Sequence, residues 1–134
     1  MTGLVLKLAP HERVLINGAV IENGDRRSRL AIVTPHANIL RLRDAIHPDE
    51  VNTPVRRVCY IVQLLLSGDA DPKDGRMQVL RGIEQLSQAL TDHDSRAQLS
   101  QATALMLEGQ YYHALKALRL LLPREDRLLA AGAG

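Results

Sequence analysis

The chain contains no phenylalanine and no tryptophan, and its only aromatic rings other than histidine are Tyr60, Tyr111 and Tyr112. A function resting on several stacked rings, the usual platform for single-stranded nucleic acid, is thereby excluded. The core must be built from Leu, Ile, Val and Ala. Cysteine is equally scarce. Cys59 stands alone, so no internal disulfide can form, and it lies in the apolar run Val58-Cys59-Tyr60-Ile61-Val62. A free cysteine in such a run behaves as a small buried hydrophobe, and the usage fits a reducing compartment better than an extracellular scaffold. The first residues lack the basic segment and apolar stretch of a secretory signal, and no run reaches the ~18 apolar residues of a membrane span. A cytoplasmic protein is expected.

Catalytic and cofactor motifs are missing too. The five histidines, at 11, 36, 47, 93 and 113, never fall at the H-x-x-x-H spacing of a metal site. The nine glycines are scattered, without a P-loop or G-x-G-x-x-G. There is no G-x-S-x-G elbow. Cys59 with a distant histidine is a nominal nucleophile pair, but apolar surroundings raise a thiol's pKa and blunt it. The expectation is a protein that is not an enzyme and uses neither metal nor cofactor.

What the chain does have is arginine. Seventeen basic residues, fourteen of them Arg, face fifteen acidic ones for a formal charge of +2. The distribution is uneven: residues 1–57 hold nine bases and six acids, and residues 58–134 eight and nine. Arginine suits bidentate contact with phosphate or carboxylate, so the basic first half hints at an anionic partner.

That first half reads as short strands. Leu4 to Leu8 is an apolar run closed by Pro10. Asn17-Gly18 and Asn23-Gly24-Asp25 follow two further apolar runs, and Asn-Gly between such runs is a strong hairpin signal. Strands over about 27–33 and 38–42 complete the set. From Pro48 the period changes. Thr53-Pro54 is an N-cap followed by proline at the first helical position, and a helix to Ser67-Gly68 follows, although the apolar stretch 58–66 also suits a buried strand. Asp69 to Gly75 reads as a polar loop. Val79, Ile83, Leu86 and Leu90, then Leu99, Ala102 and Met106, then Tyr111, Leu115, Leu118 and Leu122 keep helical spacing up to Pro123. Segregated strands and helices make an α+β fold, an antiparallel meander of about five strands followed by a bundle of about four helices. The expected division is a β-rich module over 1–47, a helical module over 48–123 and a flexible tail over 124–134, in one compact unit.

The candidate site is a set of arginines. Residues two apart on a strand share a face, so Arg27 pairs with Arg29 and Arg41 with Arg43, with Arg26 at the hairpin edge. Neighbouring strands with coincident faces would align four guanidiniums, a ribbon suited to phosphate oxygens. The same placement fits a solvated face with Glu22, Asp25 and Asp44 as counter-charges, and the pattern leaves both open. Arg56 and Arg57 stand in the first turn of a helix, where cations oppose the dipole unless an anionic partner or a nearby carboxylate offsets them. Near the end, Gly109, Tyr111 and Ala114 resemble half of a tetratricopeptide repeat. A single partial copy reads better as a helical hairpin, with its tyrosines in packing.

The succession from Leu15 through Asn23-Gly24-Asp25-Arg26-Arg27, the block Thr53-Pro54-Val55-Arg56-Arg57 and the region Tyr111 to Leu115 together resemble FlbT, a flagellin-regulator family of alphaproteobacteria. The resemblance runs from residue 4 to about 122 and implies no catalytic residues. It implies post-transcriptional control of flagellin synthesis at the 5′ leader of flagellin mRNA, by repressing translation or promoting decay and in some members by activating. A companion protein, FlaF, acts in the same pathway. A looser likeness is to the carbon storage regulators, small dimeric β proteins that bind mRNA leaders through Arg-rich edge strands. Two functions follow as expectations. One is an RNA-binding regulator, a homodimer, using Arg26, Arg27, Arg29, Arg41 and Arg43 with Arg56 and Arg57 as auxiliaries. The other is an adaptor whose helical stripes, Leu99/Met106 or Leu115/Leu122, hold flagellin or FlaF, with no direct RNA contact.

Overall fold

A computed structural model describes residues 4–133. Five strands precede five helices, which is the expected α+β class. The strands are β1 (Leu4–Leu8), β2 (Arg13–Ile16), β3 (Ala19–Glu22), β4 (Ser28–Ile32) and β5 (Ile39–Arg41). Two single 3₁₀ turns, Leu42–Asp44 and Pro48–Glu50, lead into α1 (Pro54–Ser67), α2 (Pro72–Ala89), α3 (His93–Leu107), α4 (Tyr111–Arg119) and α5 (Leu122–Ala133).

The strands form two small antiparallel sheets rather than one meander, β1 with β4 and β3-β2-β5. Asn17-Gly18 is the hairpin its sequence promises: both residues take positive φ, 47° and 86°, and Ile16 faces Ala19 across the turn. Asn23-Gly24 is not a second tight turn. Asn23 acts instead as a clamp where the chain leaves one sheet for the other. Its side-chain amide donates to the carbonyls of Ala9 and Arg26, each at 2.8 Å, and its carbonyl oxygen accepts from the Ser28 hydroxyl at 2.7 Å. An Asn side chain can thus satisfy backbone groups that a hairpin ladder would otherwise have paired.

The helices start where small polar residues can receive free backbone N–H groups. Thr53 Oγ1 accepts from Arg56 N at 3.2 Å, with Pro54 at the first helical position, and Gly68 closes α1 in the left-handed conformation at φ 83°. The stretch 58–66 is therefore helix and not strand. Its single polar residue, Gln63, has a clear role. The amide donates to the Ile46 carbonyl at 3.2 Å and accepts from Ile46 N at 2.7 Å, tying the incoming loop to α1. The loop expected up to Gly75 is shorter. Asp71 caps α2 through Asp74 N at 2.9 Å, so Pro72 opens the helix. Pro123 behaves in the same way, standing in the first turn of α5 instead of ending the last helix. Residues 124–133, expected as a tail, are helical; Gly134 lies outside the described residues.

Two apolar clusters hold the fold. The larger joins the four helices α1 to α4 around Val55, Val58, Cys59, Val62, Val79, Ile83, Leu99, Met106 and Leu118. The smaller, Leu6, Leu8, Val14 and Ile39, lies under the strands and is completed by Tyr112 from α4. Tyr112 is thus a hinge pin between helices and strands. Leu99, Met106 and Leu115 are core, at 3%, 0% and 4% exposure, and Leu122 packs half-buried against them, so the helical stripes expected to hold a partner serve internal packing. Truncating Tyr112→Ala removes the one helical side chain, among the described residues, in the smaller core. It is expected to lower unfolding free energy by about 3 kcal/mol, read from the denaturant midpoint at constant m-value.

Candidate nucleic-acid interface

In β1 the inward positions are Leu4, Leu6 and Leu8, which leaves Val5 and Lys7 outward. In β4, Leu30 and Ile32 turn inward and Arg29 outward. The register sets Lys7 directly opposite Arg29, two cations on one exposed face. Like charges so placed repel, and a ligand anion between them would remove the penalty. Arg27, two residues before Arg29, falls on the same side. Arg43 arrives from the 3₁₀ turn after β5. Lys7, Arg27, Arg29 and Arg43, with Leu8, Ala9 and Ser28, line one open groove of about 410 Å³ whose lining contains no acid.

Arg41 is not part of that row. β5 ends at Arg41 and the chain turns, so Arg41 and Arg43 do not share a strand face. Arg41 is 8% exposed and lies beneath the groove. Its Nε donates to Glu12 Oε2 at 2.7 Å, and its Nη2 donates to Glu12 Oε1 at 2.8 Å and to the Lys7 carbonyl at 2.6 Å. Glu12 Oε1 also accepts from Ala9 N at 3.0 Å, and Arg43 Nε stands 3.8 Å from Glu12 Oε2. Hydrogen bonding from Arg41 is the main reason the Glu12 carboxyl falls from 4.5 to about 2. The pair joins β5 of one sheet to β1 of the other and places Arg43 at the groove.

The remaining candidates scatter. Arg26 and Asp25 are exposed on the bend beside the groove, outside its lining, and Gly24 is open to solvent with them. Arg56 is held within the chain: Nη1 reaches Asp126 at 3.2 Å and Glu125 at 3.8 Å, both from α5. Buried Glu125 also accepts from Val55 N at 2.8 Å, so a carboxylate satisfies the start of α1 and offsets the cation there. Arg57 is exposed but lines a different groove, between α1 and α2. Thr53 and Pro54 serve as the cap described above. Cys59 is fully buried and burial pushes its thiol up to about 12, so it holds no thiolate near neutrality. Among the described residues no cluster of His, Cys, Asp or Glu could hold a metal, and no helix is long and apolar enough to cross a membrane.

Reading the sequence alone misses Lys7 and Glu12. Lys7 carries a usable signal, since it is the outward residue between Leu6 and Leu8. Glu12 carries none, because nothing local marks a turn carboxylate as the partner of an arginine 29 positions later.

Fold and site together define a small α+β protein with a cationic groove on its strands and a helical scaffold behind them. The family model for the flagellar protein FlbT matches residues 4–129, and the chain belongs to the FlbT family. It is 32% identical over 127 residues to a Chelativorans protein named "Probable flagellum biosynthesis repressor protein FlbT", covering 95% of this chain and 86% of that one. A Bradyrhizobium diazoefficiens protein named "Probable flagellum biosynthesis repressor protein FlbT 1" is 35% identical over 93% of this chain and 84% of its own length. The "Flagellum biosynthesis repressor protein FlbT" of Caulobacter vibrioides is 28% identical over 94% and 89%. No solved structure matches the chain.

Two outcomes follow from the buried pair. Arg41→Ala leaves the Glu12 carboxylate with only Ala9 N and the more distant Arg43 as partners and should cost about 2–3 kcal/mol of stability, whereas exposed Arg43→Ala should stay within about 0.5 kcal/mol. Because the folded pKa of Glu12 lies below its unfolded value, the pair's contribution is complete above pH 4.5 and disappears as pH falls towards about 2. Chemical unfolding across that range should show the loss in the natural protein and a flatter curve in Glu12→Gln.

Proposed function

We propose that the protein is a post-transcriptional regulator of flagellin synthesis that grips the 5′ leader of flagellin mRNA and represses its translation or promotes its decay. The family and the repressor names of its relatives support the regulatory part of this reading. The observation that carries the RNA part is the convergence of Lys7, Arg27, Arg29 and Arg43, from three separate segments, on a groove lined by no acid. Arginine forks bind phosphate oxygens in pairs, and the groove is open, as a polymer that enters and leaves along its length requires. Few rings are available for base stacking, so guanidiniums and backbone groups carry the contact. Arg26 on the adjoining bend extends it. Arg41 positions Arg43 through Glu12 and touches no RNA.

Anisotropy titration of a labelled flagellin leader tests this reading. The triple variant Arg27→Ala, Arg29→Ala, Arg43→Ala should bind more weakly and lower the slope of log K against log salt by about one unit for each phosphate it no longer neutralises. Unchanged affinity in the triple variant, or no leader affinity of the natural protein at low salt, overturns it.

A further inference from the structure

The second groove, between α1 and α2, has its own chemistry. It has a volume of about 490 Å³ and shares no lining residue with the groove on the strands. Val58 and Ile61 of α1 and Gly82, Leu86 and Ala89 of α2 make its floor, and Arg57, Arg81, Gln78 and Gln85 its rim. The two helices close tightly at Gly82, where a Cβ would stand 2.5 Å from Val58 Cγ2, so the floor at that point is backbone.

Charge decides what can lie there. No acid lines the groove, and the nearest acid on α2, Glu84, turns to the opposite groove against α3. Among the described residues neither Arg57 nor Arg81 forms an ion pair, unlike Arg56 next door. Two free guanidiniums flanking an aliphatic strip complement a ligand with carboxylates on either side of an aliphatic stripe. A trough between two packed helices has the shape that a third helix fills.

We infer that the α1–α2 groove docks an acidic amphipathic helix of a partner protein, its aliphatic stripe on Ile61 and Ala89 and its carboxylates on Arg57 and Arg81. The site is independent of the RNA reading, and each can fail alone. The test uses the full chain and a fluorescein-labelled, end-blocked peptide of about fourteen residues, long enough for four helical turns, with Leu on one stripe and Glu flanking it. The natural protein should bind this peptide and bind a scrambled peptide of the same composition more weakly. Arg57→Glu with Arg81→Glu, both at exposed positions and checked for folding by circular dichroism, should lose at least about tenfold in affinity. Ala89→Glu, which places a carboxylate on the floor, should also weaken binding. Leader RNA affinity should hold within about twofold in Ala89→Glu, which changes the net charge by only one unit. Equal binding of the scrambled peptide, undiminished binding by the double variant, or a parallel loss of RNA affinity in Ala89→Glu overturns the inference, the last by assigning the groove to the RNA surface.

Discussion

The buried pair of Glu12 and Arg41 is the constraint on which the strand module depends. Two sheets of two and three short strands have little area with which to hold one another. Arg41 spans them by donating both to Glu12 in the first turn and to the backbone carbonyl of Lys7. A pair of this kind adds little net stability over a well-packed apolar substitute, but it specifies one arrangement, since either charge would lose its main partner in any other. That arrangement sets Lys7, Arg27, Arg29 and Arg43 around one groove. The repulsion among four cations held together is therefore opposed by a geometry fixed beneath them.

The helices supply the frame. Tyr112 carries α4 into the strand core, Gln63 fastens the Ile46 loop to α1, and Arg119 Nη1 donates to the Asp44 carbonyl at 2.9 Å. α5 contributes a different kind of contact. Glu125 and Asp126 reach back 70 positions to the first turn of α1 and neutralise Arg56, so one of two adjacent arginines is structural and the other free. A difference of one position along a helix rotates a side chain by about 100°, enough to separate an ion-paired role from an exposed one.

Much of the fold is legible in the sequence. The apolar run of β1, the Asn17-Gly18 hairpin, the Thr53-Pro54 start of α1 and the stripes of α2 and α3 follow from local rules that the structure obeys, whereas the last stripe is split, with Leu118 in α4 and Leu122 opening α5. The two departures in the helices share a cause. Pro72 and Pro123 look like breakers, yet proline in a first turn begins a helix, and only the capping partner upstream tells the cases apart. The meander fails because Asn23 satisfies its neighbours through its side chain, and strand pairing beyond a hairpin is a long-range property. At the site, period-two spacing groups Arg27 with Arg29; Arg27 stands just before β4, and both line the same groove. The same spacing misplaces Arg41, because an arginine that looks outward by alternation can be turned inward by a carboxylate far away in the chain.

The proposed contact with leader RNA is tested most directly by crosslinking from within each groove. A photoreactive amino acid replacing Ala9, an exposed residue lining the strand groove, is compared with the same residue replacing Gln85 on the rim of the α1–α2 groove. Irradiation with the flagellin leader at moderate salt should give a protein–RNA adduct from position 9 and none from position 85. An adduct from position 85 alone, or none from position 9 under conditions where the leader is bound, would contradict the account.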